Sequence, residues 1–190
     1  MSEARVKASL QALADVALQT ADQADAVMAL ARRYEATFRQ GGTVFFAGNG
    51  GSAAAAQHLA TEYVVRYRRT RRALPAIALT TDTSLLTAAG NDLGFEHIFA
   101  RQIEALCGPE DLMVLHSTSG ASANLLLAAK TARAKGVPVV AMLGRDGGEL
   151  AALVDDAVIV ESTETSHIQE MHLALEHIIA GIVDDAVAGA

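Results

Sequence analysis

The sequence predicts an α/β protein: a three-layer sandwich in which a five-stranded parallel sheet lies between two layers of helices, with a helical hairpin before it. Three observations predict this class. Strand-like apolar runs alternate with helix-like segments from about residue 43 onward. The strand-like runs are almost continuously apolar, as expected when helices cover both faces of a sheet. Aromatic residues make up only 4% of a chain that is 51% hydrophobic, which favours close packing through small side chains.

The chain begins with two predicted helices within residues 3–37, where apolar residues recur at helical spacing and Gly41 and Gly42 end the second helix. This hairpin carries more apolar residues than one face of a sheet needs. We therefore expect residues 1–40 to serve in oligomerisation. The 190 residues as a whole are expected to form one domain.

Regular alternation follows the hairpin. The predicted strands, each a short apolar run, are 43–47, 75–80, 111–116, 138–143 and 157–160. The predicted helices between and after them are 53–66, 84–90, 95–106, 121–135, 147–153 and 166–187. Strand–helix alternation of this kind gives parallel strands joined by right-handed crossovers.

Composition restricts the class of partner. A net charge of −7 argues against broad binding of nucleic acid. Five arginines within 66–72 are interpreted as a solvated loop, with an anion-facing rim as the alternative. The single cysteine, Cys107, cannot form an internal disulfide. With no signal peptide and no apolar run of membrane-spanning length, we expect a cytoplasmic protein.

The turn after the third predicted strand is the most informative local motif. Ser117, Thr118, Ser119, Gly120 and Ser122 stand between the apolar run and a predicted helix. Unpaired backbone N–H groups and the positive end of the helix dipole make a helix start a site for anions. Small hydroxyl side chains add donors without blocking access, so the turn predicts a phosphate site.

A second turn of this kind, Gly48-Asn49-Gly50-Gly51-Ser52, follows the first predicted strand. It lacks the Gly-Lys-Ser/Thr of a P-loop and the spacing of a dinucleotide fingerprint. Two such turns at the carboxyl ends of neighbouring strands predict one small phosphorylated metabolite held between them.

Polar residues on two predicted helices suggest proton-transfer chemistry. His58 and Glu62 are four residues apart and share a helix face, a spacing that suits either a metal site or a simple surface pair. On the last helix Gln169 and His177 are separated by about 12 Å along the axis, so they could reach one ion only if it lay between them. Glu62 could act as a base and His177 as an acid, with a divalent metal polarising the substrate oxygens.

These residues together resemble the phosphoheptose isomerase family of sugar isomerase (SIS) domains. The resemblance extends over nearly the whole chain and rests on the segments FFAGNGGSAAAAQHLATE, LPAIALTTDTSLLTAAGND, STSGAS, GRDGGEL and IQEMHLALEH. It implies a flavodoxin-like SIS fold and a homotetramer with active sites at subunit interfaces. The implied reaction interconverts D-sedoheptulose 7-phosphate and D-glycero-D-manno-heptose 7-phosphate, the first step toward nucleotide-activated heptose for lipopolysaccharide core and related glycoconjugates.

The resemblance also implies site residues. Glu62 and His177 would be the proton-transfer pair of an enediol mechanism. One Zn²⁺ per subunit would be held by His58, Glu62, Gln169 and His177. Substrate contacts would come from both turns and from two further helices: Asn49, Gly51, Ser52, Glu62, Asn91, Asp92, Ser117, Thr118, Ser119, Ser122 and Gln169.

Two alternatives remain at this point. The first is a non-catalytic SIS protein that binds the bacterial replication initiator; such proteins usually lack the acid and the histidine found here at Glu62 and His177. The second is an isomerase of another phosphosugar. The chain also departs from the family at Ala55, where an acid or amide is common, and at Ser166 and His167, where Asp or Ala often precedes Arg.

Overall fold

A computed structural model describes residues 2–187, and the expected α/β class is confirmed there. The strands are β1 Val44–Gly48, β2 Ala76–Ala78, β3 Leu112–Ser117, β4 Val139–Gly144 and β5 Asp156–Val160. The helices are α1 Glu3–Thr20, α2 Ala24–Arg39, α3 Gly51–Val64, α4 Thr83–Asp92, α5 Ala100–Leu106, α6 Ala123–Ala134 and α7 Thr165–Val187. Short 3-10 helices lie at Ala21–Gln23, Phe95–His97 and Glu149–Leu153.

All strand pairs of the five-stranded sheet are parallel, in the order β2-β1-β3-β4-β5. β1 and β3 are therefore neighbours although 63 residues, 49–111, lie between Gly48 and Leu112. Their register pairs Gly48 with His116. The two turns proposed to bind phosphate therefore leave the sheet side by side at its carboxyl edge, as predicted.

Helices cover both faces of the sheet, which explains the apolar character of its strands. On one face α2, α3 and α7 pack through Tyr34, Leu59 and Ile179 onto the sheet. On the other face α5 and α6 pack through Ile103 and Ala128, with Ala89 of α4 in the same cluster. The N-terminal helix α1 is largely exposed, and Thr20 is its buried residue.

Two predicted helices differ from the observed ones. The segment predicted as one helix over 95–106 consists of a 3-10 helix followed by α5. In the segment 147–153 a 3-10 helix covers Glu149–Leu153, and Gly147 and Gly148 lie outside it because both have positive φ. None of the helices within 2–187 combines the length and apolarity needed to cross a bilayer.

Candidate active site

The turn after β1 brings the start of α3 against the start of α7. Gly50 adopts φ +55°, which favours glycine, and Gly51 opens α3. A Cβ atom on Gly51 would lie 2.5 Å from Oε1 of Gln169. Gly51 therefore permits the Gln169 side chain to lie directly against the first turn of α3.

The turn after β3 is shaped by its own hydroxyl groups. Ser117 Oγ accepts a hydrogen bond from the Gly120 N–H at 3.0 Å, and Ser119 Oγ accepts one from the Ala121 N–H at 3.3 Å. Gly120 has φ +64°, and a side chain there would overlap the carbonyl of Gly147. Ser122 precedes α6 as its N-cap without a side-chain capping bond, so its hydroxyl group is available to a ligand.

A reciprocal pair of amides joins the two turns. Asn49 donates to Oδ1 of Asn124 at 2.9 Å, and Asn124 donates to Oδ1 of Asn49 at 2.8 Å. Asn124 is buried in the first turn of α6. The pair fixes the position of one turn relative to the other, and the sequence analysis did not identify Asn124.

A cavity of about 340 Å³ lies between α3 and α7. Its lining includes Ser52 and His58 from α3, Gln169 and His172 from α7, and His116 from the end of β3. Ala55 also lines it, so the position where the family commonly has an acid or amide contributes a methyl group. The cavity therefore combines residues of the β1 turn with a predicted metal ligand from each helix, and His116 borders it from the end of β3.

Two histidines and a carboxylate converge beside this cavity. His58 Nε2 lies 2.9 Å from His177 Nε2 and 3.3 Å from Glu62 Oε1. One possible ligand atom from each of the three residues lies within 4.8 Å of the corresponding atoms of the other two. Two imidazole nitrogens bound to one tetrahedral zinc ion stand about 3.3 Å apart, close to the separation found here. The residues fit a divalent metal with three protein ligands, as in catalytic sites.

The arginine-rich segment 66–72 anchors the outer side of this triad. Arg71 forms a 2.6 Å ion pair with Asp184, and both side chains are 2% exposed. Arg71 also donates to the backbone carbonyls of Glu62 and Tyr63. The Tyr67 ring stacks on His177 with centroids 5.5 Å apart and planes within 4°. The interpretation of the whole segment as a solvated loop is wrong at Arg71.

The predicted substrate residues do not all line the cavity of a single chain. Asn91 and Asp92 are exposed at the end of α4, where they hydrogen-bond to each other at 2.7 Å. Ser119 lines a separate open depression that also contains Arg145. Within residues 2–187 of one chain, the β1 turn and His58 of the triad line one cavity, while Asn91 and Asp92 lie elsewhere.

Comparison with known proteins identifies the family. The model of the SIS domain matches residues 8–144. A phosphoheptose isomerase of Rhodospirillum rubrum is 49% identical over 97% of this chain and 98% of its own length. The chain belongs to the phosphoheptose isomerase family of SIS-domain proteins.

Solved structures agree with this membership. A phosphoheptose isomerase from Neisseria gonorrhoeae superposes with a TM-score of 0.92 at 37% identity, covering 96% of this chain and 98% of that one. A phosphoheptose isomerase from Francisella tularensis superposes with a TM-score of 0.93 at 32% identity, and the match covers 97% of this chain and 100% of that one. The SIS fold expected from the resemblance is therefore confirmed over nearly the entire chain.

A buried polar network beneath the cavity of this SIS domain was not predicted. Glu176 is fully buried and accepts hydrogen bonds from the Tyr34 hydroxyl, at 2.9 Å to each carboxylate oxygen, and from His116 Nε2 at 3.1 Å. Burial, reinforced by the Glu176 charge, raises the pKa of Tyr34 well above its ordinary value. The residues come from α2, β3 and α7, so sequence spacing gave no signal for their contact.

Proposed function

We propose that this chain isomerises D-sedoheptulose 7-phosphate to D-glycero-D-manno-heptose 7-phosphate through an enediol(ate). The observation that carries the proposal is the convergence of Glu62 and His177 beside one cavity, in a chain about half identical to phosphoheptose isomerases over nearly all its length. Aldose–ketose isomerisation needs an acid, a base and a group that polarises the carbonyl. The group of His58, Glu62 and His177 beside the cavity offers candidates for the acid and the base, and for the ligands of a metal ion that would polarise the carbonyl.

The proton transfers are assigned to two residues. The Glu62 carboxylate takes the proton from C1 of the ketose while His177 protonates the carbonyl oxygen O2, giving the enediol. Glu62 then returns the same proton to C2, and the O1 hydroxyl gives its proton to His177 as the C1 carbonyl forms, which restores both residues to their starting states. Atoms and charge balance without an oxidant. Stacking on Tyr67 fixes the plane of the His177 ring, as an oriented acid requires.

A zinc ion held by His58, Glu62, Gln169 and His177 completes the proposed site. The closeness of His58, Glu62 and His177 supports three of these four ligands. Gln169 is included because it lines the same cavity as His58. When bound, the ion would polarise the carbonyl and hydroxyl oxygens of the substrate. Glu62 and His177 then have overlapping assignments, as metal ligands and as the proton-transfer pair.

The remaining contacts are proposed for the substrate chain. Ser117, Thr118, Ser119 and Ser122 would hold the phosphate, because they surround the amino end of α6. Asn49, Gly51 and Ser52 would contact the sugar from the β1 turn. Asn91 and Asp92 would contact sugar hydroxyl groups of a site in a neighbouring subunit, since they lie outside the cavity of their own chain.

A homotetramer would bring such subunits together. Val6, Leu10 and Leu18 of α1 are each at least 60% exposed. An apolar cavity of about 490 Å³ between α2 and α7 adds Met28 and Ile178 to this face. Apolar surface of this kind is typical of a subunit interface, so we propose that residues 1–40 pack against other copies of the chain.

The alternatives are less well supported. A protein that only binds the replication initiator does not need Glu62 and His177 within reach of one ion, yet both are there. An isomerase of another phosphosugar would use the same acid–base pair. Competing hexose and pentose phosphates in the activity assay would identify that case.

Turnover of sedoheptulose 7-phosphate in a coupled assay tests the proposal. We expect Glu62→Gln to lower kcat by roughly 10²- to 10⁴-fold, because the amide cannot accept the C1 proton. Glu104→Gln is the matched control, since Glu104 is an exposed residue of α5, and it should leave kcat unchanged. Chelation should abolish turnover and added zinc should restore it. Wild-type turnover by Glu62→Gln would contradict the mechanism.

A further inference from the structure

The candidate metal ligands come from two different helices, so an ion must bind across the boundary between them. His58 and Glu62 belong to α3, and His177 belongs to α7. A metal site binds tightly when its ligands already stand at the required separation, because the ion then does not have to order them. The affinity of this site therefore depends on what holds α3 and α7 together.

The amino ends of the two helices are held by direct packing. Gly51 opens α3, and the Gln169 side chain of α7 lies so close that a Cβ atom on Gly51 would be 2.5 Å from Oε1. The triad lies about two to three turns further along both helices. Its geometry therefore also depends on the contact between α3 and α7 on its far side.

Arg71 makes that contact at the carboxyl end of α3. Its Nη2 donates to the backbone carbonyl of Glu62 at 2.7 Å, and its Nη1 donates to that of Tyr63 at 2.8 Å. The last carbonyl groups of a helix have no partner within the helix, and a cation there is also favoured by the helix dipole. One of the two carbonyls belongs to a candidate metal ligand.

The same guanidinium group reaches α7. Its Nε donates to Oδ1 of Asp184 at 2.6 Å, and both side chains are 2% exposed. The other carboxylate oxygen of Asp184 accepts from the backbone N–H groups of Arg68 and Arg69. Arg71 therefore joins the end of α3 to α7, about two turns beyond His177, through hydrogen bonds that are almost completely shielded from solvent.

Stability alone does not account for this buried pair. Apolar residues of similar volume are often at least as stabilising as a buried ion pair. A planar guanidinium group has several donors in fixed directions, so Arg71 can hold two carbonyls and a carboxylate in one defined arrangement, which apolar packing cannot do. The pair is therefore suited to positioning one helix relative to the other.

Segment 66–72 also contacts the candidate ligand on α7. The Tyr67 ring stacks on His177 with planes within 4°. The Cζ atom of Arg68 lies over the Tyr67 ring, 5.1 Å from its centroid. The segment thus contacts Glu62 through its backbone carbonyl and His177 through its ring.

We propose that Arg71 is a positioning residue of the metal site. It holds the carboxyl end of α3 against α7, and so keeps His58 and Glu62 at ion-binding distance from His177. This inference rests on the metal site of the proposed function, and it adds a residue outside the ligand set that determines its affinity. Arg71 acts through the backbone of α3 and through Asp184, and not as a ligand.

Arg71→Lys in the full chain tests the inference. Lysine keeps the positive charge beside Asp184, but its compact ammonium group cannot span both helix carbonyls and the carboxylate as the guanidinium group does. The probes are Zn²⁺, with its dissociation constant measured by competition with a chromophoric chelator, and Co²⁺, whose visible spectrum reports ligand geometry. We expect Arg71→Lys to bind Zn²⁺ about 10- to 100-fold more weakly than the wild type and to have an altered Co²⁺ spectrum.

Two controls separate positioning from a general loss of stability. Ile103→Ala removes buried volume on the opposite face of the sheet, so it destabilises the fold while leaving the contact between α3 and α7 intact. Asp185→Asn breaks the exposed pair with Arg69 on the next residue of α7. Both controls should bind Zn²⁺ like the wild type. All titrations use one protein concentration and a temperature at which every variant is folded, because unfolding or dissociation would also weaken binding.

Wild-type Zn²⁺ affinity in Arg71→Lys would overturn the inference. So would an equal loss of affinity in Ile103→Ala, since destabilisation alone would then explain the effect, and so would a wild type that does not bind Zn²⁺. If Arg71→Lys does not fold, as judged by circular dichroism, Asp184→Asn takes its place under the same criteria, because it breaks the same link from the α7 side.

The proposed function fails separately from this inference. A wild type that binds Zn²⁺ but does not turn over sedoheptulose 7-phosphate contradicts the proposed reaction and leaves the role of Arg71 to be decided by the titrations. A wild type that turns over the substrate without binding Zn²⁺ overturns the role of Arg71 and leaves the reaction in place.

Discussion

Replacing Asp184 with asparagine should loosen the segment that supports the metal triad. The Asp184 carboxylate accepts from the Arg71 guanidinium at 2.6 Å and from the N–H groups of Arg68 and Arg69 at 2.8 and 3.0 Å. An asparagine would present an uncharged amide to a buried guanidinium. Removing one partner of a buried ion pair costs about 3–5 kcal/mol, and we expect a loss of that order in the free energy of unfolding.

Asp185 provides the matched control on the next residue of α7. It pairs with Arg69 at 2.7 Å, but its side chain is 66% exposed. Exposed pairs contribute about 0–1 kcal/mol, so Asp185→Asn should change stability little. Both variants would be unfolded in urea at one protein concentration, because association affects apparent stability. Equal effects of the two substitutions would refute the argument from burial.

The pH dependence provides a second measurement on the same pair. Burial acts to raise the pKa of Asp184, but hydrogen bonds from Arg69, Arg71 and Arg68 outweigh it, and the net pKa lies below the ordinary value of 3.8. A depressed folded pKa contributes stability above the unfolded value that is lost as pH falls through the folded one. The stability difference between wild type and Asp184→Asn should therefore be full at neutral pH and shrink below about pH 4. A constant difference down to pH 2 would contradict this assignment.

Two further predictions concern the phosphate turn and the cysteine. Ser119→Ala should raise KM more than it lowers kcat, because the phosphate lies far from the reacting carbons. Steady-state kinetics measure both constants. A fall in kcat as large as the rise in KM would contradict the prediction. Cys107 is buried, and burial, followed by the Asp111 charge, raises the pKa of its thiol to about 12, so it should react with a thiol reagent at pH 8 only after unfolding. Rapid modification of the folded protein, followed by absorbance, would show that the thiol is accessible.

Local patterns predicted most of the fold. Each strand lies within a residue or two of its expected position, because buried parallel strands are continuous apolar runs bounded by turns. The start of the segment 147–153 was misjudged because its first two residues, Gly147 and Gly148, have positive φ and lie outside the helix. Periodicity reports which residues share a face, but it does not report the backbone conformation that starts an element.

Contacts between distant elements account for what the sequence did not predict at the site. The pairing of His58 and Glu62 followed from helical spacing, whereas their meeting with His177 depended on the packing of α3 against α7. The Glu176–His116 contact spans 60 residues, and the Arg71–Asp184 pair spans 113. Glu176 stands next to His177 in a helix rich in Ile, Leu and Ala, and a carboxylate in such a helix is more often found on its exposed face.

The amide pair of Asn49 and Asn124 couples the turn after β1 to the first turn of α6. The amide nitrogen of each side chain donates to the amide oxygen of the other, at 2.8 and 2.9 Å, so a shift of either segment would break both hydrogen bonds. A sugar phosphate bound at one end would therefore find the opposite loop already in place. Two independent loops would lose conformational entropy when a ligand ordered them. Here that entropy is lost during folding, so it does not weaken binding.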